Sequence, residues 1–353
     1  ERMKLLYIGA YKEPSGWGDA ARTDLLALSK QFDVVARPVT YSGGISHPEL
    51  EKLESKPTVG VTQVLQYCLP TEYDMYGRMP HFGYCEIEST DLTYSKWPEY
   101  FNRVNLLLTP NKDALELKSN VKVKIKHLPH AVNTDKFKKD YPSPKIKEAN
   151  GTFKFLCVAE FVPRKNLEGL IEAYYTEFDP SEPVSLIIKT NKNIDKMIQG
   201  IQNKIRLYSH SVFYQKIIVI SERITEDQII GLYQHCDCYV NPSMGESWCL
   251  PIVNAVGFNK KIVTTMGGGP SDLVKNYPNA IEVPSWQESC HYGNGIEWFQ
   301  NSRDHWYKPN TANLKQAMRM MISLKTQENK NVLDEYSEDK FCGRVKELIN
   351  ESR

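Results

Sequence analysis

The sequence predicts an α/β chain of two successive Rossmann-like domains, and three observations carry that prediction. Its 353 residues amount to two domains at ~150 residues each. Short β-branched or apolar runs alternate with longer segments of helical period, the pattern of a parallel sheet flanked by helices. A Lys- and Pro-rich stretch at 136–150, with almost nothing to bury, divides that series in two. The expected organisation is a first domain over 3–135, a linker over 136–150, a second domain over 151–330 and a C-terminal helix over 331–353, for which packing back on the first domain is an open placement.

In the first half, Leu5–Ala10, Asp33–Val39, Thr62–Leu69, Asn105–Thr109 and Val121–Leu128 read as strands. Between the first two, Ala20, Ala21, Leu25 and Leu28 recur at roughly helical spacing and predict a helix over Asp19–Gln31. The second half repeats the plan with strands Phe153–Ala159, Val184–Thr190, Lys216–Ser221 and Asp237–Asn241. Leu167, Leu170, Ile171, Tyr174 and Phe178 mark one face of a helix that Asn166 can cap. Thr225-Glu226-Asp227-Gln228 is a capping box opening another helix. The final stretch, Thr311–Arg353, reads as helical and carries no evident chemistry.

Lys plus Arg number 44 against 43 Asp plus Glu, a net charge of +1, which argues against a general nucleic-acid binder. The apolar run behind Glu1-Arg2-Met3-Lys4 is too short for a signal peptide, and Met3 is the expected native start. No window reaches the ~20 apolar residues that cross a bilayer, so membrane contact would be peripheral. Nine lysines between Lys118 and Lys147 suit anionic headgroups at an inner membrane face or a polyanionic acceptor, although a solvated face is the commoner role of such a run. Eight dispersed cysteines form no disulfide framework, which points to a reducing, cytoplasmic setting.

Chemistry concentrates in loops that follow strands, where open α/β sheets bind ligands. Gly9 to Gly18, including Gly16 and Gly18, fits either a strand–turn–helix anion cradle or a plain structural turn, and it matches neither G-x-G-x-x-G nor the P-loop. Arg164 and Lys165 stand just before a helix, where they either attract one diphosphate together with the dipole or form a solvated basic loop. The run Asn241 to Ala255 carries Glu246 in a loop and Pro251 in a helix's first turn, and Gly267-Gly268-Gly269 follows the next strand. No D-x-D occurs, so the carboxylate pair that holds a divalent metal against a diphosphate is missing. His235-Cys236-Asp237-Cys238 lacks a second ligand pair for zinc, so no metal site is expected.

Leu156 to Ala173, Ile224 to Asp237, Asn241 to Ala255 and Gly267 to Asp272 together resemble the donor domain of the retaining glycosyltransferases of family four. Leu128 to Phe137 is similar to that family's domain-joining segment. The resemblance implies a GT-B fold, with two Rossmann-like domains facing across a cleft. It further implies a hexose-type nucleotide sugar of the UDP or GDP type on the second domain and a hydroxyl acceptor, such as a saccharide or a lipid-linked glycan, on the first. No other cofactor is implied, and polysaccharide biosynthesis is the expected setting. Arg164 and Lys165 would grip the diphosphate, Glu246 would contact the donor sugar, and Trp248, Cys249 and Leu250 would reach sugar and phosphate. His81 or Glu88, in Pro80 to Ser89, would face the reacting sugar, with Glu86 and Glu88 on one side of a strand. The glycine amides at 267–269 would help hold the leaving group, and the linker would act as hinge.

Two positions depart from the family. Asn254 stands where a second Glu usually holds the ribose, and Glu160 stands where an Arg is common. Both keep open the alternative of a non-catalytic nucleotide-sugar-binding protein with a degenerate site. An epimerase or phosphorylase of the same fold is a third reading.

Overall fold

The computed structural model describes every residue except 1, 76, 210–212, 291–303, 330 and 353. Two parallel six-stranded sheets form the two halves. The first runs in the order β2-β1-β3-β4-β5-β6, from β1 (Lys4–Gly9), β2 (Asp33–Pro38), β3 (Gln63–Tyr67), β4 (His81–Tyr84), β5 (Leu106–Thr109) and β6 (Ile125–His127). The second runs β12-β11-β10-β7-β8-β9, from β7 (Phe153–Val158), β8 (Val184–Lys189), β9 (Ile217–Ile220), β10 (Cys238–Asn241), β11 (Lys261–Thr265) and β12 (Ala280–Val283). A short antiparallel pair, β13 (Ser285–Ser289) and β14 (His305–Pro309), is appended to it.

Burial on both faces explains the near-continuous apolar strands: all five residues of β3 and of β11 are buried. The helix Gly16–Gln31 turns Ala21, Leu25 and Leu28 into the first core, and Ser15 caps it by accepting from the Gly18 N–H at 3.3 Å. The second core gathers Phe155, Leu170, Ile171 and Tyr174 beneath the helix Leu167–Glu177.

Several expectations change. The run Val121–Leu128 yields only Ile125–His127 as strand, because β6 pairs solely with β5 at the sheet edge. The 136–150 segment is docked rather than free. Phe137 meets Phe258 edge-on at 5.2 Å, and its ring lies 2.4 Å from where a Cβ on Gly257 would stand. The Tyr141 N–H donates to Gln234 Oε1 at 2.9 Å, and Gln234 returns a bond to the Lys139 carbonyl at 3.1 Å. This segment is packed on the second domain's surface.

The chain passes between domains at Val132 and again at Tyr336–Ser337, and the two passages touch: the Val132 N–H donates to the Tyr336 carbonyl at 2.7 Å. Beyond the second passage, the helix Glu338–Glu351 returns to the first domain, adding Phe341, Cys342, Val345, Leu348 and Ile349 to its core. The lysines of 118–147 are dispersed: Lys126 pairs with Glu351, Lys138 with Asp135, and Lys136 lies over the Phe137 ring. Among the described residues, no helix is long and apolar enough to cross a membrane.

Candidate functional site

Because each sheet is parallel, its strands end along one edge, and the two edges face each other. The first presents the loops after β4, β5 and β6, with Glu86, Glu88, Asp113 and His130; the second presents those after β7, β10 and β11, with Arg164, Lys165, residues 242–249 and Gly267–Gly269. This is the crevice that open α/β sheets use for ligands.

Arg164 and Lys165 occupy a 3-10 turn, Pro163–Lys165, zipped to the loop after β10. The Met244 N–H donates to the Arg164 carbonyl at 2.8 Å, and Ser243 Oγ donates to the same carbonyl at 3.3 Å. Asn166 does not cap the next helix as expected. It is left-handed, with φ 51°, and turns its side chain away so that Nδ2 donates to the Pro242 carbonyl at 3.1 Å. Both cations therefore point at Glu246. Lys165 Nζ lies 2.5 Å from Glu246 Oε1, and Arg164 Nη1 lies 3.6 Å from Oε2. Burial pushes the Glu246 carboxyl upward, but Lys165 and Arg164 overcome that and hold it below its ordinary range.

Arg164 also crosses the cleft, its Nε lying 3.0 Å from Glu88 Oε2. Burial, reinforced by Glu246 and only partly countered by Arg164, pushes Glu88 up to about 7. Glu88 is therefore a group that titrates near neutrality against the cation it holds. The strand expected to carry Glu86 and Glu88 ends before them: β4 stops at Tyr84 and 85–89 is loop, with Ile87 fully buried between the two carboxylates.

His81 does not reach the cleft. It opens β4 at the sheet's opposite edge, fully buried, with Nδ1 2.8 Å from the Met79 carbonyl. The histidine at the cleft is His130, in the domain-joining segment. Its Nδ1 lies 2.6 Å from Asp24 Oδ2 and its Nε2 2.6 Å from Glu86 Oε1. Burial disfavours its charge, yet Asp24 and Glu86 raise it to about 10, so it stands as an imidazolium between two carboxylates. Its ring also meets Trp248 from the second domain at 5.8 Å.

Trp248 is a buried interdomain contact, packed on His130 and on Tyr336 at 5.0 Å. Cys249 caps the helix Leu250–Gly257 in a left-handed conformation, φ 73°, the strained backbone seen where a loop's direction is over-determined. Leu250 Cδ1 comes within 3.7 Å of where a Cβ on Gly16 would stand, so the first-domain helix start abuts this loop. A Cβ on Gly18 would lie 2.0 Å from the Glu13 carbonyl, which makes that glycine obligatory for the turn. The Gly18 amide already donates to Ser15, so this turn holds no spare anion donor at that position.

Gly267 (φ 124°), Gly268 (φ 66°) and Gly269 lie directly on the Glu246 loop; a Cβ on Gly269 would be 2.0 Å from the Ser247 carbonyl. Their amides are not idle: Gly267 N–H donates to Ser271 Oγ at 2.7 Å, Gly269 N–H to the Glu246 carbonyl at 3.1 Å, and Gly268 N–H to Asp113 Oδ2 at 2.9 Å. Asp113 comes from the opposite domain and accepts a second bond from the Tyr307 hydroxyl at 2.6 Å. Beside it, Lys112 pairs with Asp272 at 3.3 Å, and the Ile87 N–H donates to Ser247 Oγ at 3.2 Å. The cleft is thus closed by charge and amide contacts that a diphosphate would have to displace.

The Asn254 side chain is turned to the buried Tyr233 hydroxyl in the second domain's core, with Oδ1 out of solvent. Glu160 is exposed on the loop after β7, so its charge is solvated. Among the described residues no three His, Cys, Asp or Glu side chains gather in a metal-holding group. A pocket lined by Lys145, Ile146, Lys154, His235 and Cys236 lies at the amino ends of β7 and β10, away from the cleft.

The sequence matches the Glycosyl transferases group 1 family over residues 140–316, half of the chain. It is 25% identical over 174 residues to the serotype-specific mannosyltransferase WbdA of Escherichia coli, an alignment covering 47% of this chain and 19% of that one. The chain therefore spans about a fifth of the length of the curated relatives it matches. HepE of Anabaena, solved with UDP, superposes with a TM-score of 0.60 at 12% identity over 99% of this chain and 100% of its own. Sucrose-phosphate synthase of Thermosynechococcus elongatus gives 0.63 at 12%, over 99% of each. At these identities the likeness concerns the fold, two Rossmann-like domains across a cleft.

Proposed function

The chain belongs to the group 1 glycosyl transferases, and from that premise we propose that it moves a hexose-type sugar from a nucleoside-diphosphate sugar to a hydroxyl acceptor, with retention of configuration and without a metal. The observation that carries the reading is the convergence of Arg164 and Lys165 on Glu246 at the carboxyl edge of the second sheet. A diphosphate is the ligand two such cations suit. When it enters, Lys165 exchanges Glu246 for phosphate, and the released carboxylate accepts hydroxyl hydrogens of the sugar. The mannosyltransferase relatives and the UDP held by HepE agree with this donor class.

Catalysis then rests on stabilising the charge that develops on the leaving diphosphate as the acceptor hydroxyl arrives on the same face. One preorganised donor of this kind is worth about 3 kcal/mol of barrier. Asn254, at the position of the family's second Glu, would take a ribose hydroxyl without the charge a Glu would bring, on turning from the Tyr233 hydroxyl that it meets here. Glu88, pushed up to about 7, tunes the site: its protonation releases Arg164 toward the phosphates.

A thermal-shift panel of UDP, GDP, ADP and CMP tests the proposal, since a ligand at a hundred times its Kd adds about 2.7 kcal/mol. One nucleoside diphosphate is expected to stabilise the protein equally with and without EDTA. Stabilisation by none overturns the donor site, and loss in EDTA overturns metal independence.

A further inference from the structure

The antiparallel pair β13–β14 lies over the two second-domain loops that carry Glu246 and Gly267–Gly269. The Tyr307 N–H donates to the Met244 carbonyl at 2.7 Å, and Ser285 Oγ donates to the Met266 carbonyl at 2.6 Å. Trp306 Cδ1 lies 3.1 Å from where a Cβ on Gly245 would stand, and the Tyr307 ring lies 2.6 Å from that position on Gly267. Trp306 and Tyr307 thus occupy ground that a side chain at 245 or 267 would fill. The same strand meets the first domain at Thr90, whose N–H donates to the His305 carbonyl at 3.0 Å, and at Asp113.

Two hydrogen-bond donors of the second domain converge there on a single atom of the first. Asp113 Oδ2 accepts from the Tyr307 hydroxyl at 2.6 Å and from the Gly268 N–H at 2.9 Å. Burial, with the Asp113 carboxylate beside it, pushes the Tyr307 hydroxyl upward, so it keeps its proton and donates. Both donors are fixed to the Glu246 loop: a Cβ on Gly268 would stand 2.6 Å from the Glu246 carbonyl, and Tyr307 is tied to Met244 just before it. Asp113 belongs to the opposite domain, so a ligand that enters between the domains separates it from them, while the hydroxyl and the amide stay aimed at one point. An anionic oxygen brought to that point is within reach of both.

We propose that Tyr307 is a donor-binding residue: its hydroxyl, with the Gly268 amide, takes one oxygen of the nucleoside diphosphate, and the Asp113 carboxylate stands in for that oxygen until the nucleotide arrives. This rests on the transferase reading and gives the diphosphate a partner from outside the loops that carry Arg164, Lys165 and Glu246. A phosphate oxygen suits the position because both protein groups donate and the atom they hold now is itself an anionic oxygen.

The test is calorimetry of UDP, GDP and ADP with the unaltered protein, with Asp113→Ala and with Asp113→Ala/Tyr307→Phe, each variant's thermal midpoint being recorded. Phe keeps the ring over Gly267 and removes only the hydroxyl. With Asp113 already gone, that removal should weaken the nucleoside diphosphate about tenfold, as for one hydrogen bond to a charged oxygen and the equivalent of ~1.4 kcal/mol. A hydroxyl that served only to hold Asp113 would leave the two variants equal, and equal affinities overturn the proposal. Tyr307→Phe alone is the second lesion should Asp113→Ala fail to fold: it weakens binding if the hydroxyl meets phosphate, and tighter binding, the mark of a released interdomain contact, overturns the proposal. Either of these results leaves Arg164 and Lys165 in place as the diphosphate's partners. Binding of none of the three nucleotides to the unaltered protein refutes the donor reading and this assignment with it.

Discussion

Lys165→Ala separates the two roles that the Lys165–Glu246 pair can play. The pair is short, 2.5 Å, with side chains 17% and 9% exposed. Removing one partner of a fully buried pair costs about 3–5 kcal/mol because the other charge is stranded. Here Arg164 remains 3.6 Å from Glu246 and both side chains keep some solvent, so about 2 kcal/mol is expected, read by urea denaturation at constant m-value. Adding Glu246→Gln removes the stranded charge and should return at least half of that loss, a coupling well inside the 0.5–3 kcal/mol range of contacting residues. Turnover should behave differently. Losing one leaving-group donor lowers it on the order of a hundredfold, and Glu246→Gln should restore none of it. Turnover of Lys165→Ala within a few-fold of the unaltered protein would refute the leaving-group role. A double variant no more stable than Lys165→Ala would refute the stranded-charge argument.

Asp113→Ala frees the Gly268 amide and the Tyr307 hydroxyl from an internal carboxylate; UDP binding should tighten about fivefold, ~1 kcal/mol for one net hydrogen bond, and calorimetry showing weaker binding would contradict the displacement picture. Gly269→Ala should fail to fold or lose more than ~3 kcal/mol, because its Cβ would lie 2.0 Å from the Ser247 carbonyl, whereas Gly200→Ala, in the helix Asp195–Arg206 with nothing within 4 Å, should gain ~0.5–1 kcal/mol. His130 is raised to about 10 from an unfolded value of 6.5, so the folded state holds its proton more tightly. Its stabilising contribution is complete below pH 6.5 and is lost as pH rises through about 10; denaturation midpoints should fall across that window, and His130→Gln should flatten that part of the profile.

How much of this was legible in the sequence depended on how local each signal was. Strands β1, β2, β3 and β5 announce themselves because buried parallel strands need consecutive apolar residues, and the capping box at Thr225 is a four-residue pattern that forms as written. The loops bearing Arg164, Lys165 and Glu246 were legible because each follows a strand directly. His130 was not, since its partners Asp24 and Glu86 lie 106 and 44 residues away and nothing near it marks a charged site. Asp113 was hidden for the same reason, its contacts lying 155 and 194 residues off. His81 misled because a four-residue strand, β4, separates it from the cleft carboxylates, and on a parallel sheet that places it at the far edge. The 136–150 segment misled by composition: its lysines other than Lys136 are exposed, while Phe137 and the Pro142 backbone, close against Gly257 and Gly231, fix it to the second domain.

The central claim is transfer of a sugar from a nucleoside diphosphate with its configuration kept, and its most direct test is proton NMR of the protein incubated with UDP-glucose or GDP-mannose and a pyranoside acceptor. The account predicts release of the nucleoside diphosphate together with an α-anomeric proton in the new linkage. A β-anomeric product would contradict retention, and neither release nor binding of any nucleoside diphosphate would contradict the account of Arg164, Lys165 and Glu246.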